Sequence, residues 1–281
     1  LRPRLHRFCA RMSGSALDGE DIVQETLFEA YRNLDKFDST RPLKPWLFQI
    51  AYNRSIDFLR KHASRVAAES VSTIPDTAKP GDSAVFDLDR ALEHLVISLP
   101  PKERACVLLK DVLDYSLEEV AEMIDSTLGG VKAALHRARA KLTTSPARSR
   151  QSSAIDPELH RVVKLYVDRF NRRDWDGLRE LIRADARLMV VDAFAGKLAE
   201  SPYFGNYERM SRVWKMAAGE ADGEPVVVRL DRGADIWTAS SIIRLYVAGE
   251  HIDRIVDYSH CPWVISAAHV VTSRSTDLPF E

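Results

Sequence analysis

Cysteine, metal-ligand clusters and long apolar runs are what this chain has least of. Three cysteines in 281 residues, Cys9, Cys106 and Cys261, lie far apart with no metal-ligand spacing. Neither a disulfide framework nor a metal site is expected from them, and reduced thiols in a cytoplasmic compartment fit so sparse a set. No stretch approaches the ~20 apolar residues of a membrane span. Leu1-Arg2-Pro3-Arg4 is followed by no apolar segment, so a signal peptide is not expected either. A dominant charge is also missing, since 40 Lys and Arg against 41 Asp and Glu leave a net charge of -1. Any nucleic-acid role must therefore come from how charge is distributed along the chain.

That distribution is uneven. From Asp18 to Asp38 acids outweigh Arg32 and Lys36, whereas from Arg41 to Arg65 the bases face Asp57 alone. A length of 281 residues allows two or three domains, and 45% apolar with 29% charged residues is a globular composition.

Tyr115 to Leu142 carries the strongest local signal. Ser116 and Glu119 form a capping box, Tyr115 can staple onto Val120, and Leu117, Val120, Ala121 and Ile124 recur with helical spacing. Asp125 to Gly130 reads as a turn. A second helical pattern places Val131, Leu135, Ala138 and Leu142 inward. Lys132, His136 and Arg139 form an outer stripe flanked by Arg137 and Lys141, with no acid from Val131 to Leu142. Two short helices, a tight turn and a basic second helix are what major-groove reading needs. An ordinary helical hairpin with a solvated basic face is the bland alternative.

Upstream, Leu5 to Ser13 reads as a helix with Leu5, Phe8, Cys9 and Met12 inward, followed by a break over Gly14 to Leu17. Asp18 to Asp21 would cap a second helix with Val23, Leu27, Ala30, Tyr31 and Leu34 inward and Glu20, Gln24, Phe28 and Glu29 outward. After a loop over Phe37 to Lys44, a third helix runs from Pro45 and Trp46 to Lys61, with Leu47, Ile50, Ala51 and Phe58 inward. Ala63 to Ser83 and Thr143 to Ala154 read as linkers, and Phe86 to Leu99 as a helix between them.

The runs Asp18-Gly19-Glu20-Asp21-Ile22-Val23-Gln24-Glu25-Thr26, Tyr31 to Phe37, Pro45 to Asn53 and Asp57-Phe58-Leu59-Arg60 resemble region two of the bacterial extracytoplasmic-function sigma factors. Leu99-Pro100-Pro101-Lys102-Glu103-Arg104 and the helix-turn-helix resemble region four. The resemblance covers about the first half of the chain and implies core RNA polymerase and promoter DNA as partners. It implies that Asp21, Gln24 and Glu25 grip the polymerase; the bland alternative is a solvated acidic face. It implies that Lys36, Phe37, Lys44, Asn53, Arg54, Arg60 and Lys61 handle the melted minus-ten element, where bases stack over a basic groove. Trp46 fits core packing better than stacking. Lys132, His136, Arg137 and Arg139 would meet the minus-thirty-five duplex, reading base edges or touching phosphates. Two departures stand out: Asp125 occupies a corner where the family has glycine, and Gly130 replaces a capping hydroxyl.

Beyond Asp156 the texture changes. A helix over Glu158 to Arg173 and a short one ending near Ala184 precede β-like runs at 187–191, 226–230, 236–247 and 251–258, with a turn at Ala248-Gly249-Glu250 and a helix expected over Tyr207 to Ala218. This α+β cone pattern, with Tyr166 to Trp175 and Ile252 to Tyr258, resembles the SnoaL-like and ketosteroid-isomerase-like superfamily. The resemblance implies a pocket, for which Tyr166, Asp192, Trp237, Asp257 and His260 are the candidate lining. The buried acid such isomerases need falls on Ile242, so ligand or interface use is favoured over catalysis.

The expected organisation is therefore two all-α sigma domains and an α+β SnoaL-like domain. The segments are 1–62, a linker at 63–85, 86–144, a linker at 145–155, and 156–281. A promoter-directing sigma factor without cofactor or enzymatic activity is expected. Its C-terminal domain would regulate it by contact with the sigma domains, with a small-molecule ligand in the pocket as one input. A polymerase-independent helix-turn-helix regulator and a DNA-tethered isomerase or cyclase are the rivals.

Overall fold

The computed structural model describes residues 1–69, 96–144, 156–234 and 236–272, with the side chains of 65–69 and 144 excepted. The expected linker at 145–155 and most of the helix expected over Phe86 to Leu99 lie outside the described residues. The chain divides into two compact units, Leu1–Gln151 and Ser152–Glu281.

The described residues of the first unit form helices and no strand. Helix α1 (Arg2–Ser13) buries Leu5, Phe8, Cys9 and Met12 as the periodicity predicts. Helix α2 (Ala16–Arg32) starts earlier than expected, because Ser15 accepts the Asp18 N–H and provides the cap. Its buried stripe runs through Ala16, Glu20, Val23 and Ala30, so two inward assignments fail: Tyr31 is 78% exposed and Leu34 54% exposed. Glu20, expected outside, is buried against Arg2 at 2.5 Å. Small residues cause this rotation, since a Cβ on Gly19 would lie 2.5 Å from the Ala10 backbone.

Helix α3 (Leu43–Glu69) continues past Lys61 through residues where a linker was expected. Helix α4 (Pro101–Val107) runs into a π-helical turn over Leu108–Val112. The helix-turn-helix follows as α5 (Leu117–Met123) and α6 (Leu128–Thr144). All six helices among the described residues contribute to one apolar core, in which α3 packs on α5 and α1 on α4. Phe48 of α3 meets Tyr115 edge-on at 5.4 Å. Arg104 is buried within this core and donates to the carbonyls of Met12, Ile97 and Leu99; burial pushes its pKa down to about 10.

The second unit is α+β. Helices α7 (Pro157–Asn171, capped by Asp156) and α8 (Trp175–Leu181, capped by Asp174) precede a seven-stranded sheet. Its strands are β1 (Ile182–Val190), β2 (Phe194–Lys197), β3 (Trp214–Ala221), β4 (Glu224–Arg232), β5 (Trp237–Ala248), β6 (His251–Asp257) and β7 (Val270–Thr272). Their order is β2-β1-β6-β5-β4-β3-β7, with β1 and β6 parallel and every other pair antiparallel.

Two short helices, α9 (Tyr203–Glu208) and α10 (Pro262–Ala267), flank the sheet ends. The helix expected over Tyr207 to Ala218 is instead the end of α9 and most of β3. Trp214 and Met216 alternate with Lys215 in burial, a period of two that Ala217 and Ala218 obscured in the sequence. The β3–β4 turn, Asp222-Gly223, has φ values of 53° and 86°, the left-handed pair that a tight hairpin needs. Between α7 and the sheet, Phe170 of the helix is buried with Trp214, Ile243, Leu245 and Ile255 of the strands.

All three cysteines are buried thiols outside any disulfide. Among the described residues no helix is long and apolar enough to cross a membrane.

Candidate functional site

The helix-turn-helix is built by local chemistry. Ser116 Oγ accepts the Glu119 N–H at 3.1 Å and Glu119 Oε2 accepts the Ser116 N–H at 2.9 Å, closing the predicted capping box. Asp125 takes φ 50° at the corner, the left-handed conformation that Asp tolerates better than most residues. Thr127 caps the second helix through its Oγ1, which accepts the Gly130 N–H at 3.1 Å. Gly130 therefore sits within the first turn and is not a failed cap. A Cβ there would lie 2.7 Å from Ser126 Oγ and 3.2 Å from Thr127 Oγ1.

Val131, Leu135 and Ala138 bury α6 against the core, and Lys132, His136, Arg137, Arg139 and Lys141 point outward. These five bases are not equivalent. Arg137 and Lys141 both pair with the nearly buried Glu103, at 3.0 and 2.8 Å. The Lys141 hydrogen bond does most to hold the Glu103 carboxyl below the usual range, against the burial that would raise it. Arg139 makes a two-pronged contact with Asp111 at 2.6 and 3.2 Å, which raises its own pKa. Lys132 and His136 have no such acid among the described residues. A groove of about 600 Å³ runs beside them, floored by Leu117, Leu135 and Ala140 and edged by Lys110, Lys132, His136 and Arg139. Lys110, which sequence reading missed, arrives from the π-helical turn; its neighbour Asp111 orients Arg139.

The candidate minus-ten residues lie on α3 and the loop before it, and they form no single patch. Lys36, Arg54 and Lys61 edge a groove of about 510 Å³ between α2 and α3, together with Glu25, Phe28, Glu29, Arg32 and Asn33. Arg54 is ion-paired with Glu29, Lys36 donates to Asn33 Oδ1 at 3.1 Å, and Arg60 lies 3.4 Å from Asp57. Asn53 is exposed. Phe37 stacks on Trp46 at 4.6 Å between centroids and 31° between planes, which fits packing as the sequence favoured. Lys44 turns toward α5, where it pairs with Glu119 at 2.9 Å and sits over the Tyr115 ring at 4.5 Å.

On α2, Glu25 is exposed, Asp21 and Gln24 are half-buried, and Gln24 donates to Glu20 at 3.0 Å. Phe28 (63% exposed), Tyr31 and Leu34 continue this surface as an apolar stripe, with Arg32 over the Phe28 ring at 5.7 Å. The exposure of Tyr31 and Leu34 was invisible while both were assigned inward.

In the second unit, Tyr166 of α7 and Asp257 at the end of β6 are both buried and the Asp257 charge acts on Tyr166, but Asp192 and His260 lie exposed beyond the ends of β1 and β6. Trp237, at the start of β5, is engaged by Lys215 at 4.6 Å. The acid is Asp257, not a residue at position 242; Ile242 is fully buried and pairs with Val228. Tyr203 and Tyr207, which the sequence did not reveal, both donate to Asp257 Oδ2, at 2.9 and 2.6 Å. Its Oδ1 accepts the Ser259 N–H at 2.8 Å and the Ser241 hydroxyl at 3.4 Å. Burial, reinforced by the Asp257 charge, pushes the Tyr166, Tyr203 and Tyr207 phenols up. The Tyr166 ring and hydroxyl are fully buried. Phe170 and Trp214 pack on Tyr207, and Phe204 packs on Phe170, so aromatic rings fill this part of the interior.

Comparison with known proteins agrees with the helical architecture. The profile for Sigma-70 region 2 matches residues 1–65, and that for Sigma-70, region 4, matches residues 89–142. The ECF RNA polymerase sigma factor SigW of Bacillus subtilis is 32% identical over 153 residues, which is 50% of this chain and 82% of SigW. SigG of Mycobacterium tuberculosis, also an ECF RNA polymerase sigma factor, is 28% identical over an alignment of 304 positions, which covers 92% of this chain and 78% of SigG. The crystal structure of the extracytoplasmic function sigma factor SigJ from Mycobacterium tuberculosis aligns with a TM-score of 0.36 at 18% identity, covering 91% of this chain and 92% of SigJ.

Proposed function

The chain belongs to the extracytoplasmic-function sigma factors, and from that premise we propose how its parts divide the work. It directs core RNA polymerase to promoters and initiates transcription there. The observation that carries this is the presence of both sigma regions in order, with an exposed basic face on the second helix of a capped helix-turn-helix.

Polymerase binding falls to the outer face of α2. Glu25 supplies charge, Asp21 and Gln24 flank it, and the exposed Phe28 and Tyr31 supply the apolar area that makes an interface specific. Lys36, Arg54 and Lys61 share a groove with Glu25, so polymerase and the melted strand would meet along the α2–α3 seam. Phe37, Lys44, Asn53 and Arg60 extend the strand-handling surface along the loop and α3. On α6, Lys132 and His136 meet the minus-thirty-five duplex directly, whereas Arg137 and Arg139 enter pre-oriented by Glu103 and Asp111.

The C-terminal unit regulates the sigma regions and does not catalyse. A general base needs an open lone pair within reach of a substrate proton. Asp257 has both oxygens occupied by donors from Tyr203, Tyr207, Ser241 and Ser259. Such a carboxylate anchors α9 to the end of β6. Intramolecular contact with the sigma regions, with or without a small-molecule ligand, is the regulatory route.

Co-purification with core polymerase tests the assignment. Glu25→Lys combined with Phe28→Ala is expected to abolish capture while circular dichroism stays unchanged, because both side chains are exposed. Undiminished capture removes α2 from the interface. A polymerase-independent regulator would show full promoter binding with no capture even of the unaltered chain.

A further inference from the structure

Positive charge is lined up across three strands of the α+β unit. Arg187 of β1 stands directly opposite Lys197 of β2 on one side and directly opposite Arg254 of β6 on the other. The next residues along, Leu188 and Ile255, are buried in the core that α7 also enters. Side chains alternate along a strand, so the three bases project from the opposite face of the sheet. There Lys197 and Arg187 are exposed and Arg254 is half-buried.

Such a row is unfavourable by itself, because like charges directly opposite one another destabilise a sheet. Among the described residues Arg187 and Arg254 have no ion pair, and Asp253, at the bulge beside Arg254, pairs with neither. Lys197 has Glu200 at 3.8 Å, with the two side chains 62% and 66% exposed. Other acids on these strands and β4 are taken: Asp185 pairs with Arg183, and Glu224 with Arg244. Tyr246, the β5 partner of Arg254, holds that guanidinium 3.5 Å from its ring centroid. An aromatic face orients an arginine without neutralising it and leaves the planar fork free for phosphate.

What the row lacks identifies its partner. No large apolar side chain on β1, β2 or β6 is exposed, so the anchors of a protein interface are missing. Backbone phosphates need only bases. Two strand spacings of about 4.8 Å make the row about 10 Å long. Over that length a duplex sets about six phosphates, at one per ~1.7 Å. A short tether joins α6, ending at Thr144, to α7, beginning at Pro157. A weak contact made beside a bound helix-turn-helix therefore gains a millimolar-range effective concentration.

We propose that Lys197, Arg187 and Arg254 form a docking row for backbone phosphates of the duplex flanking the minus-thirty-five element. This rests on the promoter-directing function argued above. The row adds affinity and salt dependence and no sequence preference.

The test is a salt titration of the full chain on duplexes that it selects, with long flanks or trimmed to the site. Each phosphate contact steepens the fall of log affinity with log salt by about 0.9. Arg187→Gln with Arg254→Gln should flatten the slope by about 1.8. Between about 50 and 200 mM salt the unaltered chain then loses about twelvefold more affinity than the variant. Arg187→Gln alone, at an exposed side chain without an ion pair, should give half that change with the fold intact. Trimming the flanks should flatten the slope of the unaltered chain and leave that of the double variant unchanged. Arg187→Lys with Arg254→Lys should keep the steep slope, as should Arg179→Gln on α8, whose side chain pairs with Asp176. Coincident slopes for the unaltered chain and the Gln variants on flanked duplexes overturn the row. Coincident slopes with lost capture of core polymerase overturn it in favour of a protein contact. A chain that selects no duplex overturns the promoter-directing function and the row together, whereas selection with coincident slopes overturns the row alone.

Discussion

Residues of one type in one helix have been given different partners, and this makes their substitutions separable. Lys132→Ala should weaken cognate duplex binding by about 1–3 kcal/mol if it reads a base edge, with the melting temperature unchanged. Arg139→Ala removes the Asp111 contact as well, so it should cost about 0.2–1 kcal/mol of stability in addition to any binding loss. Titrations at two salt concentrations beside thermal melts rank the two; an intact Lys132→Ala binder contradicts the assignment. Glu103 supplies a pH dependence. Its pKa is depressed in the folded state, chiefly by Lys141 and then by Arg137. The stability it contributes is therefore full above the unfolded carboxyl range near 4.5 and is lost as pH falls through the folded value. Glu103→Gln should flatten that part of the acid-unfolding profile, and an unchanged profile shows that other carboxylates govern it.

Single elements depend on caps that were legible because they are local. The Ser116–Glu119 box spans four residues, and the stripes of α1, α5 and α6 repeat within a turn or two. Thr127→Ala should cost about 0.5–2 kcal/mol by exposing the first turn of α6, read as a shift in the denaturation midpoint. A neutral result transfers the capping role to Ser126 or to solvent. What the sequence did not disclose depends on partners far along the chain. Tyr203 and Tyr207 reach Asp257 across 54 and 50 residues, Lys44 reaches Glu119 across 75, and Arg104 reaches Met12 across 92. Periodicity carries no information about such pairs. The rotation of α2 that exposes Tyr31 and buries Glu20 was equally hidden, because small residues at Ala16, Gly19 and Ala30 set the contact face. Strand β3 was misread as helix since Ala217 and Ala218 dilute the alternation begun by Trp214 and Met216.

At the scale of the whole molecule, one helical unit joins both sigma regions and one α+β unit follows it in the chain. Ending the protein near Ala154 should change polymerase-dependent transcription several-fold if the α+β unit regulates it. Supplying that unit separately should restore the effect only at high concentration, because a short tether supplies a millimolar-range effective concentration. Equal transcription from cut and uncut chains makes the unit a passenger. The most direct measurement is run-off transcription with purified core RNA polymerase on templates selected for binding the full chain. Discrete transcripts from one start point, appearing only when the full chain is added, are the predicted result. Specific binding of the chain to those templates with no transcript above that of core polymerase alone would contradict the account.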